Sequence, residues 1–251
     1  MMIDFHTHIL PHLDDGAKDT ATAVEMLGAQ KAQGVTTVLC TPHYYGKRYP
    51  DKFLSQRNGA YAHLKERIPD GISVRLGAEV HFTGINVPDY EQLCKLAIEG
   101  TNAILIELPF VAKWTDRLLP ALADFVYDTG YTPIIAHVER YREVLKKPSI
   151  VSQLIDMGCL IQVNARAFTE KKEKKFAFAL LKHGFVHCIG SDAHDLERRS
   201  VNLLTAKSAV ETAGYADEWE RAQSIMQRLL KGEDVHVPLG TPIKKIFGSY
   251  R

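Results

Sequence analysis

An α/β fold on a parallel sheet is the fold class this sequence predicts, and three observations carry it. The first is a set of seven short apolar runs, at 3–6, 35–41, 73–79, 103–108, 133–137, 160–163 and 186–190. They are β-branched and nearly continuous, as strands buried on both faces require. The second is the helix-like stretch that separates most runs from the next. Alternation of this kind builds a parallel sheet. The third is the first turn. A doubly wound sheet usually carries a Gly-rich phosphate loop there, whereas strand one here ends in His6-Thr7-His8. A closed barrel, with functional residues at the carboxyl ends of many strands, fits better.

In chain order, the first helix is expected over 21–33 and stops at Gly34, because glycine tolerates the left-handed turn that ends a helix. Further helices are expected over 53–67, 90–98, 116–128, 150–157 and 172–183. Gly130, Gly158 and Gly184 each close a helix and precede a strand. After the seventh strand, 201–213 and 217–230 read as two more helices. One barrel accounts for the 251 residues, so 1–251 is expected to form a single domain.

Charge is balanced, with 31 Lys+Arg against 30 Asp+Glu, and 45% of residues are hydrophobic. That excludes an intrinsically disordered chain. It also argues against nucleic-acid or acidic-lipid partners, which call for a basic excess. No apolar stretch reaches the ~18 residues of a membrane span. The start lacks the basic and apolar regions of a secretory signal. Cys40, Cys94, Cys159 and Cys188 form no C-x-x-C pair. They read as small hydrophobes in a reducing compartment, so the expected location is cytoplasmic. One total stands out: 11 histidines.

The strand ends account for many of them. Strand one ends at His6-Thr7-His8, with Asp14 six residues on. Strand two ends in Thr41-Pro42-His43, strand three in Glu79, strand four in Glu107, strand five in His137, and strand seven in Asp192-Ala193-His194. On a barrel these nine side chains converge on one centre. So many carboxylates would repel one another without cations. Imidazole with carboxylate suits divalent first-row ions. Nine ligands exceed the needs of one ion, so two or three ions are expected. Such clusters activate water and clamp phosphoryl oxygens.

The motifs His6-Thr7-His8, Thr41-Pro42-His43, Gly77-Ala78-Glu79 and Ser191-Asp192-Ala193-His194 resemble those of the PHP (polymerase and histidinol phosphatase) superfamily. The run from His6 to Gly16, the segments 106–109 and 136–141, and a basic tail before Phe247-Gly248 are similar to the bacterial PHP-type tyrosine-protein phosphatases of the CpsB/CapC/YwqE group. The resemblance spans essentially the whole chain. It departs at Val138, where the group commonly has proline, and this implies altered loop geometry. It implies a distorted (β/α)7 barrel, TIM-like, with a trinuclear metal site at the carboxyl ends of the strands. His6, His8, Glu79 and Asp192 would hold one ion. Glu79, Glu107 and His137 would hold a second, and Asp14, His43 and His194 the third. Manganese is the first choice, with iron or zinc as alternatives.

The activity so implied is hydrolysis of phosphotyrosine on a protein, the tyrosine-rich tail of a bacterial tyrosine kinase that controls capsule or exopolysaccharide synthesis. Arg140 and Arg199 match phosphate-contacting arginines of the group, and the guanidinium fork suits phosphate. A shift of one residue would exchange Arg199 with Arg198. No cysteine begins a C-x5-R loop and no P-loop is present, which disfavours a thiolate phosphatase and a nucleotide kinase. The alternative reading is a small-molecule PHP phosphoesterase such as a histidinol-phosphate phosphatase. Tyr44, Tyr45 and Tyr49 follow His43 at the mouth of the site, where aromatic rings stack on a tyrosyl ring. His63, His81, His183, His187 and His236 read as structural or exposed. The charged run 170–175 reads as a solvated helix start, and 244–247 as a segment that docks a partner or second subunit. The oligomeric state is left open.

Overall fold

The computed structural model describes residues 2–46, 49–84, 89–246 and 248–250. The first half of the chain runs β1 (Met2–Thr7), α1 (Thr20–Ala32), β2 (Val35–Cys40), β3 (His43–Tyr44), α2 (Pro50–Lys65), β4 (Ser73–Leu76), β5 (Glu79–His81), α3 (Tyr90–Cys94) and β6 (Ala103–Glu107). It continues with α4 (Leu118–Thr129), β7 (Thr132–Ile135), α5 (Arg142–Lys146), α6 (Ile150–Asp156), β8 (Leu160–Asn164), α7 (Lys174–Lys182) and β9 (Cys188–Gly190). Then come α8 (Leu203–Thr212), α9 (Ala216–Leu230) and a small hairpin, β10 (Lys245–Ile246) with β11 (Ser249–Tyr250).

The sheet is parallel and curled. β1 pairs with β2 and β2 with β4, while β3, β5, β6, β7, β8 and β9 pair in that order. Curling brings the last strand back to the first. The Asp192 N–H donates to His6 O at 2.8 Å and the His8 N–H to Ala193 O at 2.9 Å. The strands are apolar on both faces because both faces are covered. Ile104, Leu105, Ile106, Ile134, Ile135, Ile161 and Val163 are all buried.

Helices seal the outside. Asp19 caps α1, its carboxylate accepting the Thr22 N–H at 2.8 Å, which satisfies one donor of the first turn. α9 supplies an amide to the sheet: Gln223 Oε1 accepts the Ile3 N–H at 2.9 Å.

Two expected strands are each broken in two. The run 35–41 stops at Cys40 and resumes as β3, and 73–79 stops at Leu76 and resumes as β5. Pro42 has no N–H to give a ladder. Beside it, Gly77 lies so close to its neighbours that a Cβ would sit 3.3 Å from Thr41 Cγ2. The breaks are in step, since Gly77 N–H reaches Cys40 O at 2.9 Å and Glu79 N–H reaches Pro42 O at 3.1 Å. Glu79 therefore opens β5 instead of ending a strand. The helix expected over 90–98 is shorter, 90–94, and the hairpin β10–β11 was not foreseen. In that hairpin Lys245 Nζ donates to Leu145 O of its own chain at 2.9 Å. Phe247, part of the expected docking segment, lies outside the described residues.

Candidate metal centre

Glu79 stands at the middle of the cluster. It is fully buried where β5 begins. Its Oε2 lies 3.2 Å from His6 Nε2, 3.3 Å from His8 Nε2 and 2.9 Å from His43 Nδ1. Its Oε1 accepts from His137 Nε2 at 2.7 Å. His6 and His8 sit two apart across the end of β1, their Nε2 atoms 3.1 Å apart. Glu107, at the end of β6, approaches His137 Nε2 at 3.9 Å and His81 Nδ1 at 3.3 Å.

Asp192 forms the second focus. Its Oδ1 lies 3.7 Å from His6 Nε2, 3.5 Å from His8 Nε2 and 3.6 Å from His194 Nδ1. Arg199 reaches the same oxygen at 2.8 Å, and Arg140 reaches Oδ2 at 3.2 Å. Arg199, not Arg198, is the arginine that meets Asp192. Arg140 leaves a short 3-10 turn (Val138–Arg140) and lies over the Phe110 ring, 4.6 Å from its centroid. Val138 is buried within that turn. His137 and Asp192 both have left-handed backbones, φ 32° and 54°. For residues other than glycine this conformation is strained, and such strain collects at functional sites.

The structure divides the adjacent aspartates. Asp14 accepts from His8 Nδ1 at 2.7 Å and from the His43 N–H at 2.9 Å. The Oδ1 of its neighbour Asp15 lies 3.3 Å from His194 Nε2 and 3.5 Å from His43 Nε2. Among the described residues, three groups have donor atoms that lie within 4.8 Å of one another: His6, His8, Glu79; His43, Glu79, Glu107; and His8, Asp15, His43, His194. Of the nine residues singled out in the sequence, Asp14 faces the cluster through its hydrogen bonds to His8 and His43. Asp15 joins one of these groups without having been singled out, whereas His81, read as structural or exposed, contacts Glu107 and joins none of them. The pair Asp14-Asp15 gives no sequence signal for which carboxylate meets which imidazole, and His81 lies two residues beyond Glu79 on the same strand face.

Charge in the cluster is set by burial against close partners. Burial disfavours the charged form of His8, but its hydrogen bond to Asp14 and the close carboxylate of Glu79 push it up to about 10. Burial likewise opposes ionised Glu79 and Asp192, yet the surrounding imidazoles hold both below the usual carboxylate range. Burial and the charges of His8 and Arg199 bring His194 down to about 3. Ionised carboxylates thus sit among imidazoles of unequal basicity, whose lone pairs protons and metal ions would contest.

The donors fit divalent cations. Buried His43 Nδ1, Glu79 Oε2 and His194 Nε2 have no hydrogen-bond partner among the described residues. His43 Nδ1 and Glu79 Oε2 approach to 2.9 Å, but without hydrogen-bonding geometry. Unpaired buried lone pairs are costly, and mixed imidazole and carboxylate is the donor set of first-row divalent ions.

Two cavities flank the cluster. One of about 270 Å³ is lined by Arg140, Asn164, Arg166, Asp192 and Arg199 among others. The other, about 510 Å³, is lined by Leu13, Asp14, Asp15, His43, Tyr44, Tyr45 and Phe53. The Tyr45 ring stands 5.1 Å from the His43 ring and is half exposed, Tyr44 is buried against Phe53, and Tyr49 is exposed.

The fold is a curled α/β sheet with a carboxylate–imidazole cluster at its rim. This chain belongs to the capsular polysaccharide synthesis family CpsB/CapC, whose model matches residues 2–231. It is 30% identical to the tyrosine-protein phosphatase YwqE of Bacillus subtilis, over 99% of this chain and 100% of that one. It is 28% identical to the tyrosine-protein phosphatase CpsB of Streptococcus agalactiae serotype III, over 82% of this chain and 88% of the relative. Crystal structures of YwqE from Bacillus subtilis and CpsB from Streptococcus pneumoniae, described as metal-dependent tyrosine phosphatases, include a chain that superposes with a TM-score of 0.82. The identity there is 29%, covering 97% of this chain and all of that one.

Proposed function

We propose that this protein is a metal-dependent protein-tyrosine phosphatase of capsule or exopolysaccharide synthesis. Its substrate would be phosphotyrosine on the tail of a bacterial tyrosine kinase. The observation that carries this reading is the buried cluster around Glu79 and Asp192, with Arg140 and Arg199 at its edge. Kinship with YwqE and CpsB supports it.

In this reading the sheet closes as a distorted (β/α)7 barrel and 1–251 is one domain. His6, His8, Glu79 and Asp192 hold one ion, and Glu79, Glu107 and His137 a second. Asp14, with Asp15 beside it, joins His43 and His194 around a third. Manganese is the first choice, iron or zinc the alternatives. Bound divalent ions supply Lewis-acid polarisation of phosphoryl oxygens and acidify water.

The chain's own residues do the rest. The guanidinium groups of Arg140 and Arg199 bind the phosphate, and Phe110 holds Arg140 in place from behind. Closing on a phosphate would draw both arginines from Asp192, freeing its oxygens. The aromatic cavity receives the tyrosyl ring against Tyr45. A phenolic leaving group, with a pKa near ~10, needs little proton donation. No helix among the described residues is long and apolar enough to cross a membrane, and a cytoplasmic location is part of the proposal.

Elemental analysis of the purified protein, paired with assays on a phosphotyrosyl peptide and on histidinol phosphate, tests this. Two or three ions per chain and a higher kcat/KM on the peptide are expected. Preference for histidinol phosphate would move the protein to small-molecule phosphoesters, and full activity after chelation would overturn the metal dependence.

A further inference from the structure

We propose that Gln162 and Asn164, neighbours on one face of β8, are positioning residues that set the tautomer of His6 and the orientation of Asp192. The inference rests on the metal-dependent reading above. Of the seven apolar runs, the one that forms β8 ends in neither histidine nor carboxylate. Even so, its Gln162 and Asn164 side chains are 0% and 1% exposed. Residues two apart on a strand face the same way, so one strand delivers both amides to the cluster.

The direction of every hydrogen bond follows from one group that can only donate. The backbone N–H of His137 reaches Gln162 Oε1 at 2.6 Å. That fixes which end of the amide is oxygen. The same oxygen stands 3.4 Å from His6 Nδ1. An amide oxygen only accepts, so Nδ1 carries the proton. His6 Nε2 then presents its lone pair to the space beside Glu79 Oε2 and Asp192 Oδ1, 3.2 and 3.7 Å away.

The other end of the amide continues the chain. Gln162 Nε2 donates to Asn164 Oδ1 at 3.0 Å. With its oxygen taken, Asn164 turns Nδ2 outward and donates to Asp192 Oδ2 at 2.9 Å. Asp192 is thereby held with Oδ1 toward His6 and His8. His8 has a carboxylate, Asp14, behind its ring; His6 has a neutral amide there. Partners behind a metal-bound imidazole fix its tautomer, and their loss typically weakens metal binding ~10–100-fold.

The test is metal affinity of the whole protein, read by elemental analysis after dialysis against graded chelator, beside steady-state kinetics. Gln162→Leu should lose ~10–100-fold in metal affinity, and kcat at subsaturating metal should fall while KM holds. Gln162→Glu keeps an accepting oxygen behind His6 but removes the donor to Asn164, so it should recover part of that loss. Asn164→Ala, which leaves the His6 contact intact, should weaken binding less and stands in if Gln162→Leu does not fold. Unchanged metal affinity in Gln162→Leu and Asn164→Ala, or no recovery in Gln162→Glu, would overturn the proposal. Wild-type protein that binds metal but spares phosphotyrosine would instead break the functional reading alone.

Discussion

The two walls of the site are built on different principles. On one side Arg140 and Arg199 converge on Asp192, and charge meets charge at 3.2 and 2.8 Å. On the other, Leu13, Tyr44, Tyr45 and Phe53 join Asp14, Asp15 and His43 around a cavity of about 510 Å³. A guanidinium wall recognises any phosphoryl group, because the fork reads oxygens alone. An aromatic wall recognises what carries the phosphate. On the proposed function, the first would govern turnover of all phosphomonoesters, and the second choice among them.

Glu79 lies between the walls, so its loss should not separate them. Glu79→Ala should abolish hydrolysis of every ester and strip bound metal, as elemental analysis with both assays would register. Arg140→Ala should lower kcat/KM by ~10²–10³-fold, the scale of one lost charge-stabilising donor. The loss should be similar for peptide and small ester. A loss confined to the peptide would break the comparison.

Gly190→Ala probes the floor beneath both walls. A Cβ there would lie 2.5 Å from His6 Cβ and 2.8 Å from His6 N. Overpacking of this kind costs ~1–3 kcal/mol, so thermal denaturation should show a lower Tm together with weaker metal binding. Tyr45→Ala should be milder and selective. An aromatic pair contributes ~0.5–1.5 kcal/mol, so KM should rise a few-fold for phosphotyrosyl peptide and less for histidinol phosphate.

His187 belongs to neither wall and gives the smallest effect. Burial and the charge of Arg221 bring it down to about 3, and its Nδ1 accepts the Ile161 N–H at 2.9 Å. The folded form thus keeps it neutral, whereas the unfolded chain protonates it near 6.5. Its contribution is complete above about 6.5 and is lost as pH falls toward about 3. His187→Asn keeps an acceptor that does not titrate. Urea denaturation of the metal-free protein should show a shallower acid limb in the variant.

Much of this was legible in the sequence, for identifiable reasons. His6, His8, His43, Glu79, Glu107, His137, Asp192 and His194 carry a double signature, an apolar run followed by a ligand-type residue. That buried Asp14 backs His8 while exposed Asp15 reaches His43 and His194 was not legible, because two adjacent aspartates in a loop differ only in backbone torsions. The splitting of two strands was hidden as well. Apolar continuity through 73–79 says nothing about a local loss of ladder hydrogen bonds. Gln162 and Asn164 escaped notice because amides carry no metal-ligand signal; their role exists only relative to His6, His137 and Asp192. His81 was read as structural or exposed, yet it lies 3.3 Å from Glu107.

The matched interruptions at 41–42 and 77–78 carry an evolutionary consequence. Each is shaped against the other: Gly77 leaves room that Thr41 fills, and Pro42 offers its carbonyl to Glu79. Substitutions at the two positions should therefore be epistatic, departing from additivity as contacting residues do. A side chain at position 77 would press on both Ile98 and Thr41, so its cost should depend on what stands at those two positions.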